Sequence, residues 1–178
     1  MIVQRLLAAS IALSFCITIA HAQNFPDLAA GHYKWVAMTS NDPLPPNMLG
    51  GGICRVAMHG GVHPGKILAD KRSCNVAWGN FGNDYHQFEV FTGDVEGIWW
   101  PIQDGIPMNP RPRYHLVGGH LEDGTPIYVC KANDPNKGTH IGKLVGQNCN
   151  VEWGGKELIF SSYRCLYNLN PDSVIENP

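Results

Sequence analysis

The 178-residue chain carries 13 basic against 15 acidic side chains, a formal charge of −2, so no basic excess is available to hold nucleic acid or an anionic membrane surface. Its 20 Gly and 13 Pro, together with five Trp, favour many turns and short strands over long helices.

Taken in chain order, residues 1–22 read as a secretory signal. A lone Arg5 precedes an apolar run over 6–20, and Ala20-His21-Ala22 before Gln23 is the small-x-small pattern of a signal-peptidase site. The run is short of the ~20 residues a bilayer span requires, so the mature chain is expected to be exported, extracellular and not inserted in a membrane. Cleavage removes Arg5 and Cys16 and leaves a chain with five cysteines, long enough for one compact domain.

Past residue 23, apolar or alternating runs stand at 33–38, 53–58, 66–69, 75–78, 85–91, 98–102, 114–117, 126–132, 142–145, 150–153 and 157–166, each closed by Gly, Pro, Asn or Asp. Runs of this length and spacing predict an all-β protein of antiparallel strands. Asp123-Gly124 supplies the positive φ of a tight hairpin turn over 122–125.

These runs are written twice. Cys74-Asn75-Val76-Ala77-Trp78-Gly79 returns as Cys149-Asn150-Val151-Glu152-Trp153-Gly154, His63-Pro64-Gly65-Lys66 as His140-Ile141-Gly142-Lys143, and Cys54-Arg55-Val56-Ala57 as Cys130-Lys131-Ala132. Two pseudo-symmetric repeats follow, residues 31–93 and 95–168, joined by a connection too short to let them drift apart, with a loose polar tail over 169–178. An exported chain keeps cysteines mainly as disulfides. The symmetric pairing is Cys54 with Cys74 and Cys130 with Cys149, and Cys165, left over where the first copy has Val90, is then a buried thiol or, as the alternative, half of an intermolecular bridge.

Few residues carry chemistry at matched positions. His59, His63 and His140 sit among glycines in what reads as loop, so no metal site or other cofactor is expected from them. The serines have no matched counterparts and no Gly-x-Ser-x-Gly elbow occurs, so an enzyme is not expected. Trp78 with Trp153, and Trp35 with Trp99 or Trp100, read as shared core, or as stacking platforms where exposed. Lys66 and Lys143 each follow a glycine in a turn. A neutral polyol needs an ammonium donor, a carboxylate acceptor and an apolar floor, which Lys143, Glu122 or Asp123 and a nearby aromatic can supply.

The string Gly119-His120-Leu121-Glu122-Asp123-Gly124-Thr125-Pro126-Ile127-Tyr128-Val129-Cys130-Lys131-Ala132, then Gly142-Lys143, then Cys149-Asn150-Val151-Glu152-Trp153-Gly154-Gly155-Lys156-Glu157, resembles the DM-nine repeat family. The first copy resembles it through Trp35-Val36, Gly51-Gly52, Cys54-Arg55-Val56-Ala57, Pro64-Gly65-Lys66 and Phe88-Glu89-Val90. The resemblance implies an intertwined tandem fold whose copies exchange terminal strands about a pseudo-twofold axis. It also implies mannose binding of the kind used in innate immunity, with sugar hydroxyls held by Lys143 and Lys66 and by an acid after the Gly-Gly step. The chain departs from the pattern where Leu121 stands in the acid's place, with Glu122 and Asp123 displaced, and where Gly52 runs into Ile53. Gly79-Asn80-Phe81-Gly82 also replaces the Gly-Gly-Lys-Glu of residues 154–157, in which Lys156 and Glu157 join the candidate ligands or form an ion pair at the strand start.

Two functions are therefore weighed. One is a secreted lectin for mannose-containing glycans, with weak single sites strengthened by a second site or a homodimer. The other is a secreted protein-interaction module or effector that keeps the fold without a sugar site, with Trp99-Trp100-Pro101 as its hot spot.

Overall fold

In the computed structural model, residues 33–49, 51–93, 98–103, 106–107 and 115–167 are described. The signal segment and the polar tail lie outside the described residues, as do the side chains of Trp99 and Trp100. The strands are β1 (Tyr33–Thr39), β2 (Ile53–Met58), β3 (Gly61–Leu68), β4 (Ser73–Trp78), β5 (Phe81–Tyr85), β6 (Gln87–Gly93), β7 (Ile98–Gln103), β8 (Ile106–Pro107), β9 (Val117–His120), β10 (Pro126–Asp134), β11 (Gly138–Val145), β12 (Asn148–Trp153), β13 (Lys156–Phe160) and β14 (Tyr163–Tyr167). The protein is all-β, and no helix of the described residues is long and apolar enough to cross a membrane.

The sheet order reads β1-β6-β2-β3-β4-β5-β13-β12-β11-β10-β14-β7-β8. Apart from β8, it reverses itself about the β5–β13 junction, so the written repeat becomes a pseudo-twofold axis. Each half has its own core. Met38, Cys54, Val56, Met58, Cys74, Val76, Phe88 and Val90 fill the first, and Cys130, Ala132, Cys149, Val151, Tyr163 and Cys165 the second. A third cluster takes Leu49, Ile53 and Phe91 from one half and Leu116, Val129, Ile141 and Leu166 from the other, which makes the two halves one globule. The interlocking differs from the expected exchange of terminal strands. β1 and β7 pair with β6 and β14 of their own halves, and β9 of the second half reaches β3 of the first, with His120 opposite Val62.

The disulfides are Cys54–Cys74 and Cys130–Cys149, the symmetric pairing, and Cys165 is a buried free thiol directly opposite Cys130, as Val90 is opposite Cys54. Each bridge joins strands two apart in the sheet, yet the Cα atoms are 5.8 and 6.0 Å apart, where a flat sheet would hold them roughly 9.6 Å apart. The sheet therefore folds sharply across β3 and β11, and Gly65 and Gly142 are where it folds. A Cβ on Gly65 would lie 2.2 Å from the Asn75 carbonyl oxygen, and one on Gly142 2.0 Å from that of Asn150.

Three sequence expectations are corrected. Gly65-Lys66 and Gly142-Lys143 are not turns but strand interiors, with the glycine required by close backbone approach. His63 and His140 likewise lie in β3 and β11, not in loops. The runs 85–91 and 157–166 each break in two, at His86 and at Ser161-Ser162, and Gly79-Asn80 and Gly154-Gly155 form tight turns with positive φ at both residues that start β5 and β13. The turn at Asp123-Gly124 stands as expected: Gly124 has φ +86°, and the Leu121 N–H donates to the Thr125 carbonyl at 2.8 Å.

Candidate functional site

The two lysines of the Gly-Lys pairs cross the pseudo-twofold axis. Lys143 on β11 places its Nζ 4.3 Å from the centre of the Trp78 ring, which belongs to β4 of the other half. Lys66 on β3 places its Nζ 5.7 Å from the Trp153 ring on β12. In each case a histidine of the tryptophan's own half packs on the indole, His63 on Trp78 and His140 on Trp153, both with ring centroids 4.5 Å apart. Two composite clusters of the same design result, each needing both repeats.

Their electrostatics differ. Lys66 satisfies its three N–H donors within the protein: it donates to the Glu152 carbonyl oxygen at 2.6 Å, pairs with Glu152 Oε2 at 3.1 Å, and meets His140 Nδ1 at 3.4 Å. His140 Nε2 lies 2.8 Å from the Lys137 carbonyl oxygen and donates to it, so Nδ1 is the accepting nitrogen of a neutral ring. Glu152 is buried and also accepts from the Gly155 N–H at 2.8 Å. Room for it comes from Gly82, whose Cβ would fall 2.0 Å from Glu152 Cγ.

At the other cluster the position of Glu152 is held by Ala77. Lys143 is 2 % exposed and has no carboxylate within ion-pair distance among the described residues. Burial pushes its ammonium down to about 8, opposed by the more distant charge of Glu157. His63 is 1 % exposed, and neither ring nitrogen has a hydrogen-bond partner among the described residues. Burial first, then Lys143, His59 and His120, hold it down to about 4, so it is neutral at physiological pH. His59 stacks on Trp78 at 5.2 Å. Imidazoles thus surround this indole, but among the described residues no three His, Cys, Asp or Glu converge as metal ligands.

The acidic candidates separate. Glu122 lies against the His59-Gly60 turn, since a Cβ on Gly60 would be 2.9 Å from Glu122 Cγ, and His59 of that turn is the ring that stacks on Trp78. Asp123 is spent on its own turn, where it accepts from the Thr125 N–H at 2.9 Å, a bond that lowers its pKa. Glu157 accepts from the Asn80 N–H and from Asn150 Nδ2, both at 2.9 Å, rather than pairing with Lys156. Lys156 is exposed between Trp153 and Phe81. The structure brings both candidate lysines into the clusters, whose further members Trp78, His63 and Glu152 the sequence analysis did not name as ligand candidates. The signal was there: the substitution of Glu152 for Ala77 is a charge difference inside an otherwise matched hexapeptide.

A groove of about 500 Å³ lies apart from these clusters, between β1, β2 and β6 of the first half. At its floor Arg55 donates to Glu89 at 2.6 Å and lies 4.2 Å from the Trp35 ring.

Among solved structures, the fold is similar to that of the nematode sperm cell motility protein MFP2B, with a TM-score of 0.56 at 11 % identity over 79 % of this chain. The chain spans 45 % of the length of that protein. No curated protein matches the chain in sequence. The DM9 repeat pattern matches residues 52–160, which take in both Gly-Lys pairs, both disulfides and both tryptophans of the composite clusters, and the chain belongs to the DM9 repeat family.

Proposed function

We propose that the protein is a secreted carbohydrate-binding protein of lectin type, mannose-selective, whose working site is the Lys143 cluster. The observation that carries this reading is the asymmetry of the two lysines. Lys66 has its donors engaged by Glu152 and His140, whereas Lys143 is held against Trp78 with no carboxylate partner. An ammonium largely withdrawn from water and faced by an indole rather than a carboxylate costs stability, and a ligand bearing hydroxyl acceptors repays that cost on binding. Glu122, beside the His59-Gly60 turn, supplies an acceptor for neighbouring hydroxyls, and the indole supplies the apolar wall. Export agrees with two disulfides and with the signal-like first 22 residues. Lys66, on this reading, is a structural counterpart of Lys143.

A glycan array probed with the chain from Gln23 to Pro178 tests the proposal, beside Lys143→Ala and Lys66→Ala variants shown to be folded. Binding to mannose-rich glycans is expected, abolished by Lys143→Ala and retained by Lys66→Ala. A silent array from folded wild-type protein refutes the lectin reading, and binding untouched by Lys143→Ala removes Lys143 from the site.

A further inference from the structure

Four side chains stand in one line across the pseudo-twofold axis. Trp78 on β4 is directly opposite Phe81 on β5, Phe81 is opposite Lys156 on β13, and Lys156 is opposite Trp153 on β12. Directly paired residues of an antiparallel sheet share a face, so the line is a row on one surface. The two central residues are a close pair. The hydrogen bonds at the junction run from the flanking residues, Gly82 N–H to the Gly155 carbonyl and Glu157 N–H to the Asn80 carbonyl, which leaves Phe81 and Lys156 as a non-hydrogen-bonded pair. Phe81 is 65 % exposed and Trp153 41 % exposed. Such exposure at the centre of a sheet is costly to keep and marks a contact surface.

The ends of the row are the two composite clusters. Lys143 sits on Trp78 at one end, and Lys66 underlies Trp153 at the other. We propose that the row is an extended subsite for an oligosaccharide chain, with one sugar held at Lys143 and the following rings laid over Phe81, Lys156 and Trp153. This deepens the lectin reading and rests on it. At the ~4.8 Å spacing of strands the row is roughly 14 Å long, a length that takes several linked pyranoses rather than one. Its chemistry is that of a sugar chain: aromatic faces for the C–H side of each ring, and one solvent-facing ammonium between them for hydroxyls. Trp78, already packed by Lys143 and His59, serves as the anchor wall, and Phe81 and Trp153 are the stacking faces. The protein then reads internal chain segments, and its affinity grows with chain length.

Isothermal titration of the wild-type chain with α-methyl mannoside and with a linear mannotetraose decides the matter, repeated with Phe81→Ala, Phe81→Tyr and Trp153→Ala. The tetramer is expected to bind more tightly than the monosaccharide. The ratio between them should fall about tenfold in Phe81→Ala, the size of one lost stacking contact, and be preserved in Phe81→Tyr. Equal affinity for the two sugars, or a ratio unmoved by Phe81→Ala and Trp153→Ala, overturns the platform and leaves the Lys143 site standing. If neither sugar binds, the lectin reading falls and the platform with it; if Phe81→Ala abolishes capture of a deglycosylated protein partner instead, the row is a protein-docking surface.

Discussion

Lys143 is a cation that the fold holds out of water. Its ordinary pKa of 10.5 falls to about 8 through burial, so between those values the unfolded chain binds a proton that the folded chain has released. Stability therefore rises with pH across that window, and below pH 8 the full cost of burying the charge is present. Lys143→Met should stabilise the protein at pH 7 on the order of 2–3 kcal/mol. In urea titrations at pH 7, 9 and 10.5 the gap between variant and wild type should close as pH rises; a gap independent of pH would mean that the charge is not desolvated. Tyr163 and Cys165, pushed up to about 12 by burial, act in the opposite sense at high pH, but they are present in both proteins and cancel. Among single residues, the lysines were legible because Gly-Lys repeats in register. The partners were not, because each lysine's indole lies in the other repeat, and a contact across a pseudo-twofold axis leaves no local pattern in a sequence. Glu122 was named as a candidate by type and by its place after the Gly-Gly step, whereas His63 was hidden by three neighbouring glycines that imitate a loop.

At the level of elements, the strand-rich character was visible in the alternation of β2, β10 and β12, where one face is core and the other is not. β5 was missed because Phe81-Gly82-Asn83-Asp84-Tyr85 is too polar to read as a strand. Its inner face is set by packing against the second half, with Gly82 making room for Glu152. The same kind of close approach explains β3 and β11, in which a glycine reads as a turn signal but serves as a crease. Gly142→Ala places a methyl group where the Asn150 carbonyl oxygen stands, so one of the two strands must move. The expected cost is at least ~3 kcal/mol, seen as a lowered midpoint in thermal unfolding followed by circular dichroism. Gly124→Ala, at a position where a Cβ meets no atom within 4 Å, is the contrast: positive φ alone should cost about 1 kcal/mol.

For the molecule as a whole, the duplication was plain in the sequence, but the shared third core was not, because Leu49, Ile53 and Phe91 meet Leu116, Val129, Ile141 and Leu166 only once the halves are folded. Two halves that share a core and exchange lysines should unfold together. Calorimetry is expected to show one transition, and Cys54→Ser with Cys74→Ser should lower it by roughly 3 kcal/mol without splitting it. Two resolved transitions would mean that the halves are independent domains. The pair Ala77 and Glu152 carries a genetic consequence. An alanine codon ending in A or G becomes a glutamate codon by one base change, and that base sets whether a lysine of this architecture meets a carboxylate of its own chain. Only the loss of Glu152 is free of a further requirement: a carboxylate there needs the room that Gly82 leaves, and Glu157 stands at the matching position of the other half, so a glutamate at residue 77 would face a second carboxylate.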